Sequence, residues 1–155
     1  GEGMADVIAE HDASVIIMHM QGTPRTMQKS PKYGDVVADI STFLEDRIAV
    51  AEKAGISADK IMIDPGIGFG KNLDHNIEIL TRLRELRSLG KAIAIGVSRK
   101  SFIGKITGSP IDDRRGGSLA AAVLAVANGA NVIRAHDVAE TAQALKVAWP
   151  IIQNG

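Results

Sequence analysis

The stretch Lys60-Ile61-Met62-Ile63-Asp64-Pro65-Gly66-Ile67-Gly68-Phe69-Gly70-Lys71 passes from a short apolar run into a carboxylate and then a glycine-rich loop. The run is too short for a helix, and its unbroken hydrophobicity marks a strand covered on both faces, as in a parallel sheet. Asp64, directly after it, cannot lie unpaired in a core without a large cost. At a strand's carboxyl end it either accepts hydrogen bonds from a ligand's N–H groups or anchors its own loop. Gly66, Gly68 and Gly70 let the backbone take positive φ or approach a ligand closely. The spacing matches neither a Walker A loop nor G-x-G-x-x-G.

Three further runs have the same character: Val15-Ile16-Ile17-Met18, Ala92-Ile93-Ala94-Ile95 and Asn131-Val132-Ile133. The four runs begin at residues 15, 60, 92 and 131. Those intervals match or somewhat exceed the roughly 31 residues that a 250-residue barrel of eight βα units allots to each. Helical patterns fill the gaps. Val37, Ile40, Phe43, Leu44, Ile48 and Ala51 follow a 3.6 period from Val36, with Gly55 as the stop. Ile77, Leu80, Leu83, Leu86 and Leu89 predict one helix ended by Gly90. Residues 118–127 predict a helix of small residues closed by Gly129, and residues 4–10 a short helix ahead of the first strand. Asp137 and Glu140 form a capping-box-like pair opening a last helix that runs to Ala148 and ends at Trp149-Pro150. The order α-β-α-β-α-β-α-β-α has no linker, so residues 1–155 are read as a single α/β domain.

Composition narrows the function. The chain has 155 residues, 18 Lys+Arg against 18 Asp+Glu, 45% hydrophobic residues, 3% aromatics and no cysteine. A formal charge of zero argues against a nucleic-acid partner held by phosphate neutralisation. Missing cysteine excludes disulfides, thiolate metal sites and a cysteine nucleophile. No apolar run approaches a membrane span. Gly1-Glu2-Gly3-Met4 has no secretory character, so a cytoplasmic location without a membrane partner is expected.

Polar clusters follow all four runs. Met18-His19-Met20-Gln21-Gly22-Thr23-Pro24 offers a thioether suited to a flat heterocycle, though Met18 as core filler and His19 as a structural histidine is the simpler reading. In Gly96-Val97-Ser98-Arg99-Lys100-Ser101-Phe102-Ile103-Gly104, Ser98 is placed to cap a helix, with two cations and a hydroxyl beside it for an anionic group. In Arg134-Ala135-His136-Asp137, strand alternation puts Arg134 and His136 on one side as donors to phosphate oxygens. An Arg–Asp pair closing the rim competes with that reading.

These motifs resemble the dihydropteroate synthase family, the pterin-binding barrel enzymes of folate biosynthesis and the sulfonamide targets. The matching stretches are Met18-His19-Met20-Gln21-Gly22, Met27-Gln28 with Pro31 and Tyr33, 64–71, 96–101, Gly117-Ser118-Leu119-Ala120 and 134–138, in family order. The resemblance implies the C-terminal half, strands five to eight, of a (β/α)8 TIM barrel. It implies condensation of 6-hydroxymethyl-7,8-dihydropterin pyrophosphate with p-aminobenzoate, giving 7,8-dihydropteroate and pyrophosphate. Carried over by position, Asp64 holds the pterin N–H groups, Lys100 contacts the pterin ring, and Met18, Phe69 and Gly96 wall the pocket. Ser101 anchors the p-aminobenzoate carboxylate, and Arg134 and His136 receive the pyrophosphate. Arg99 receives no firm role. Mg²⁺ is the implied cofactor, with its main ligand expected in the first half of the barrel and none in this chain. A homodimer, or pairing with that other half-barrel, is implied. The small-residue helix serves either packing within the barrel or a subunit interface. A pterin-binding methyltransferase domain and a non-catalytic half-barrel with a vestigial site are the alternatives, and little turnover is expected of this chain alone.

Overall fold

The computed structural model describes residues 3–23, 25, 27 and 31–154. Gly1, Glu2, Pro24 and Gln28, all read above, lie outside the described residues. Four short parallel strands, β1 (Val15–Met18), β2 (Ile61–Asp64), β3 (Ala92–Ile95) and β4 (Val132–Ile133), pair in chain order. Each strand is hydrogen-bonded to the next in sequence, the topology of consecutive barrel strands rather than of a doubly wound sheet. Register places Ile17 beside Ile63 and Ile63 beside Ile93, and sets Met18 beside Asp64.

Alternation sorts the strand residues onto two faces. Ile61, Ile63, Ile93 and Ile95 are buried against helices. The other face carries Ile16, 47% exposed, and Val132, 39% exposed. The expectation of two covered faces therefore holds for one only. The reason is topological: right-handed crossovers between neighbouring parallel strands return the helices to the same side each time. Unbroken hydrophobicity does not distinguish a helix-covered face from a barrel lumen.

Helices α1 (Met4–Glu10) and α2 (Val36–Lys53) form where expected. Asp35 starts α2 by accepting hydrogen bonds from the Val37 and Ala38 amides, both at 3.0 Å. Val36, Val37, Ile40, Leu44, Ile48 and Ala51 line its buried stripe. The single helix predicted from Ile77 to Leu89 divides into α3 (Leu73–Thr81) and a 3₁₀ helix (Leu83–Leu89). Apolar residues three apart fit the three-residue turn of a 3₁₀ helix better than the 3.6 of an α-helix. Arg82, at the break, pairs with Glu78 at 2.6 Å, Glu85 at 2.8 Å and Asp35 at 3.1 Å.

Beyond β3 lie α4 (Ser101–Thr107), α5 (Arg115–Ala127) and α6 (Val138–Gln153). Two expectations fail in α6. Asp137 occupies the N-cap position without making a side-chain cap bond, because Arg99 takes its carboxylate. Pro150 lies inside the helix rather than ending it. Its missing N–H falls in the last turn, where Trp149 is 50% and Ile151 69% exposed, so the chain runs on at a solvated end.

Candidate functional site

Asp64 closes β2 rather than following it, and only 6% of it is exposed. One carboxylate oxygen accepts the Gly66 N–H at 2.7 Å. The loop-anchor reading is thus correct as far as it goes. The same residue, with Met18, Ala94 and Arg134, lines a cavity of about 220 Å³ on the inner face of the sheet. Burial pushes the Asp64 carboxyl above its ordinary value, opposed by the Gly66 N–H and by the charges of Lys100, Arg134 and Lys71.

The loop after Asp64 needs its glycines. Gly66 has φ 73°, and a Cβ there would stand 1.9 Å from the His19 carbonyl oxygen. The chain therefore crosses the end of β1 at backbone-to-backbone distance. Tyr33 Oη donates to the Gly70 carbonyl at 2.7 Å, and the Asn76 side chain accepts the Gly68 N–H at 2.7 Å.

Lys100 reaches back from the β3 end to this loop. Its ammonium donates to the Ile67 carbonyl and lies 4.3 Å from the centre of the Phe69 ring. Desolvation lowers Lys100 to about 8, against the pull of Asp64. Asp64, Phe69 and Lys100, three of the predicted residues, are in this way brought together across two strand ends.

Arg134 and His136 line a second cavity of about 110 Å³ with Gly96, Ser98 and Lys100. A Cβ on Gly96 would lie 3.0 Å from Arg134 Nη2, so this glycine gives the guanidinium its seat. Ser98 does not cap α4, whose N-cap is Lys100. Its hydroxyl instead meets the His136 backbone N–H at 3.2 Å and Nδ1 at 3.0 Å. Ser101, the first residue of α4, is exposed and does not line this cavity.

Three residues that sequence reasoning left without a role hold the site. Arg99, at φ 59°, donates its N–H to Ser118 Oγ at 2.9 Å and its guanidinium to Asp137. Arg114 donates to the Arg99 carbonyl at 3.1 Å. Lys71, 2% exposed, lies under the glycine loop against His19. Two cations before a short helix, where they oppose its dipole, were the one available signal for Arg99. Lys71 and Arg114 gave none.

Among the described residues, no three His, Cys, Asp or Glu side chains cluster so as to hold a metal ion. No described helix is long and apolar enough to cross a membrane.

Helices returning to one face of a parallel sheet, with cationic and carboxylate groups gathered at its carboxyl ends, are the arrangement of consecutive βα-barrel units. The chain belongs to the pterin binding enzyme family, whose profile matches residues 1–136. It is 46% identical over 145 residues to the dihydropteroate synthase of Escherichia coli K12, covering 94% of this chain and 51% of that protein. The corresponding enzyme of Neisseria meningitidis serogroup C is 48% identical over 151 residues, with 53% of its length covered. A Yersinia pestis dihydropteroate synthase, solved with a sulfonamide drug complex, superposes with TM-score 0.96 at 40% identity, covering 99% of this chain and 56% of that one. The Xanthomonas albilineans enzyme in complex with 7,8-dihydropteroate superposes with TM-score 0.90 at 42% identity. The chain spans about half the length of the relatives it matches.

Proposed function

We propose that this chain supplies the pterin, arylamine and pyrophosphate contacts of a dihydropteroate synthase. The observation that carries this reading is the convergence of buried Asp64 with Lys100 and the Phe69 ring at two adjacent strand ends. The fixed Asp64 carboxylate accepts hydrogen bonds from the pterin's amino and ring N–H groups. Its negative charge stabilises the positive charge that spreads over the pterin as the bond from the 6-methylene carbon to pyrophosphate oxygen breaks. Pyrophosphate leaves with the electron pair toward Arg134 and His136. The p-aminobenzoate nitrogen forms the new bond to that carbon and releases a proton. Met18 and Phe69 wall the heterocycle, and Ser101 anchors the arylamine carboxylate. The resemblance implies Mg²⁺, but the described residues offer it no ligand cluster, and no step is assigned to it.

We read the groove of about 480 Å³ between α3, α4 and α5 as the homodimer surface. Ile77, Ile106 and Leu124 stand there 43%, 58% and 61% exposed. A cytoplasmic location belongs to the same reading.

Calorimetric titration with 6-hydroxymethyl-7,8-dihydropterin pyrophosphate tests the pterin site. Binding should weaken in Asp64→Asn and Lys100→Met, and binding equal to the parent chain in both would overturn it. Sedimentation with Leu124→Glu tests the dimer.

A further inference from the structure

The ammonium of Lys71 is the one described lysine sealed inside the molecule, at 2% exposure. A buried ammonium is costly and persists only where its hydrogen bonds are met. Two are on hand: His19 Nδ1 at 2.9 Å and the Phe69 carbonyl at 2.9 Å. When protonated, Lys71 has no lone pair, so it then donates both bonds and His19 accepts through Nδ1. Burial and the neighbouring Lys71 charge hold His19 down to about 4, which keeps the ring neutral and able to accept. His19 is itself fixed, its backbone N–H on the Asp64 carbonyl at 3.0 Å and its ring edge-on to Phe43 at 5.0 Å.

Two lysines thus grip alternate carbonyls of one loop. Lys100 takes Ile67 from the cavity side, and Lys71 takes Phe69 from beneath. We propose that Lys71 is a positioning residue. By fixing the Phe69 carbonyl to His19 at the end of β1, it sets where the Phe69 ring, and Lys100 above it, stand relative to Asp64. The inference rests on the reading that these three residues bound the pterin. The titratable groups facing Lys71 are His19, Asp64 and Lys100.

The chain has three phenylalanines, Phe43, Phe69 and Phe102, so 4-fluorophenylalanine labelling yields three ¹⁹F lines. Phe102, buried in α4, reports the fold. In Lys71→Met, which keeps the apolar stem, the Phe69 line should shift and broaden while Phe102 stays. Affinity for 6-hydroxymethyl-7,8-dihydropterin pyrophosphate should fall about tenfold, the scale of a charge-assisted hydrogen bond. Ethylammonium added to Lys71→Ala should restore both, which a role in bulk packing would not allow. An unmoved Phe69 line, or a moved line with unchanged affinity, overturns the proposal. If the parent chain fails to bind this probe, the pterin reading falls, and the Phe69 line still reports what Lys71 holds. If Lys71→Met collapses all three lines, a Lys100→Met chain decides. There the Phe69 line should move with pH as Lys71, held below its ordinary value by burial, loses its proton; a line flat across that titration overturns the proposal.

Discussion

Arg99 grips both carboxylate oxygens of Asp137, Nη2 to Oδ1 at 2.6 Å and Nε to Oδ2 at 3.2 Å. The pair ties the loop after β3 to the loop after β4. Arg99 sits at φ 59°, a conformation that costs a non-glycine residue and persists where its surroundings enforce it. Ser118 and Arg114 enforce it through the Arg99 N–H and carbonyl. The latch lies one residue from Lys100 on one loop and one residue from His136 on the other, and both line the smaller cavity.

Arg99→Lys and Asp137→Asn should therefore each weaken binding of inorganic pyrophosphate by calorimetry. A lysine cannot reproduce the planar fork. Because the two residues act as one contact, the double variant should bind no worse than the weaker single one. Additive losses would separate them.

Asp64→Asn should divide stability from binding. The folded state holds the Asp64 proton more tightly than the unfolded chain does, so ionised Asp64 is a cost to the fold at neutral pH. Asparagine keeps the acceptor for the Gly66 N–H and removes that charge. Thermal stability should stay within about 1 kcal/mol of the parent, while pterin binding falls about tenfold to a hundredfold. Parallel melting curves and titrations check both.

Lys71 gives the fold a dependence on pH whose sign is fixed. Its value is about 7 in the folded chain against 10.5 ordinarily. Between these values the unfolded state binds more protons, so stability rises with pH across that window. Below it both states are protonated, and the cost of burying the charge is constant. Urea midpoints should climb from neutral toward alkaline pH in the parent and climb less in Lys71→Met, with Lys100 supplying the remainder from about 8.

The same substitution at two glycines should have different consequences. Gly66→Ala places Cβ 1.9 Å from a backbone oxygen at positive φ, and should cost about 3 kcal/mol or more from left-handed strain and overpacking. Gly96→Ala meets only the end of the Arg134 side chain, at 3.0 Å. That fold should survive, with the guanidinium displaced and pyrophosphate binding reduced. Chemical denaturation beside pyrophosphate titration separates the two.

The strands and α2 were legible because burial imposes periodicity on them: Ile40, Leu44 and Ile48 have to face the sheet. The strand-end residues were legible as polar groups placed just after apolar runs. What could not be read were side-chain choices among several partners. Ser98 and Asp137 both carry cap chemistry, yet one turns to His136 and the other to Arg99. Those partners lie 38 residues away in each case, a separation that local pattern does not encode. Lys71 was invisible for a related reason, since a lysine after a glycine loop looks solvated until the fold closes over it.

Met18 and Asp64 are register partners across β1 and β2. Sliding one strand by a single residue would turn Asp64 toward the helices and leave an isoleucine or proline in its place. On the proposed pterin reading, ligand affinity is consequently a gauge of strand alignment: a chain that grips a pterin there has, by that act, certified that its sheet zipped in the correct frame.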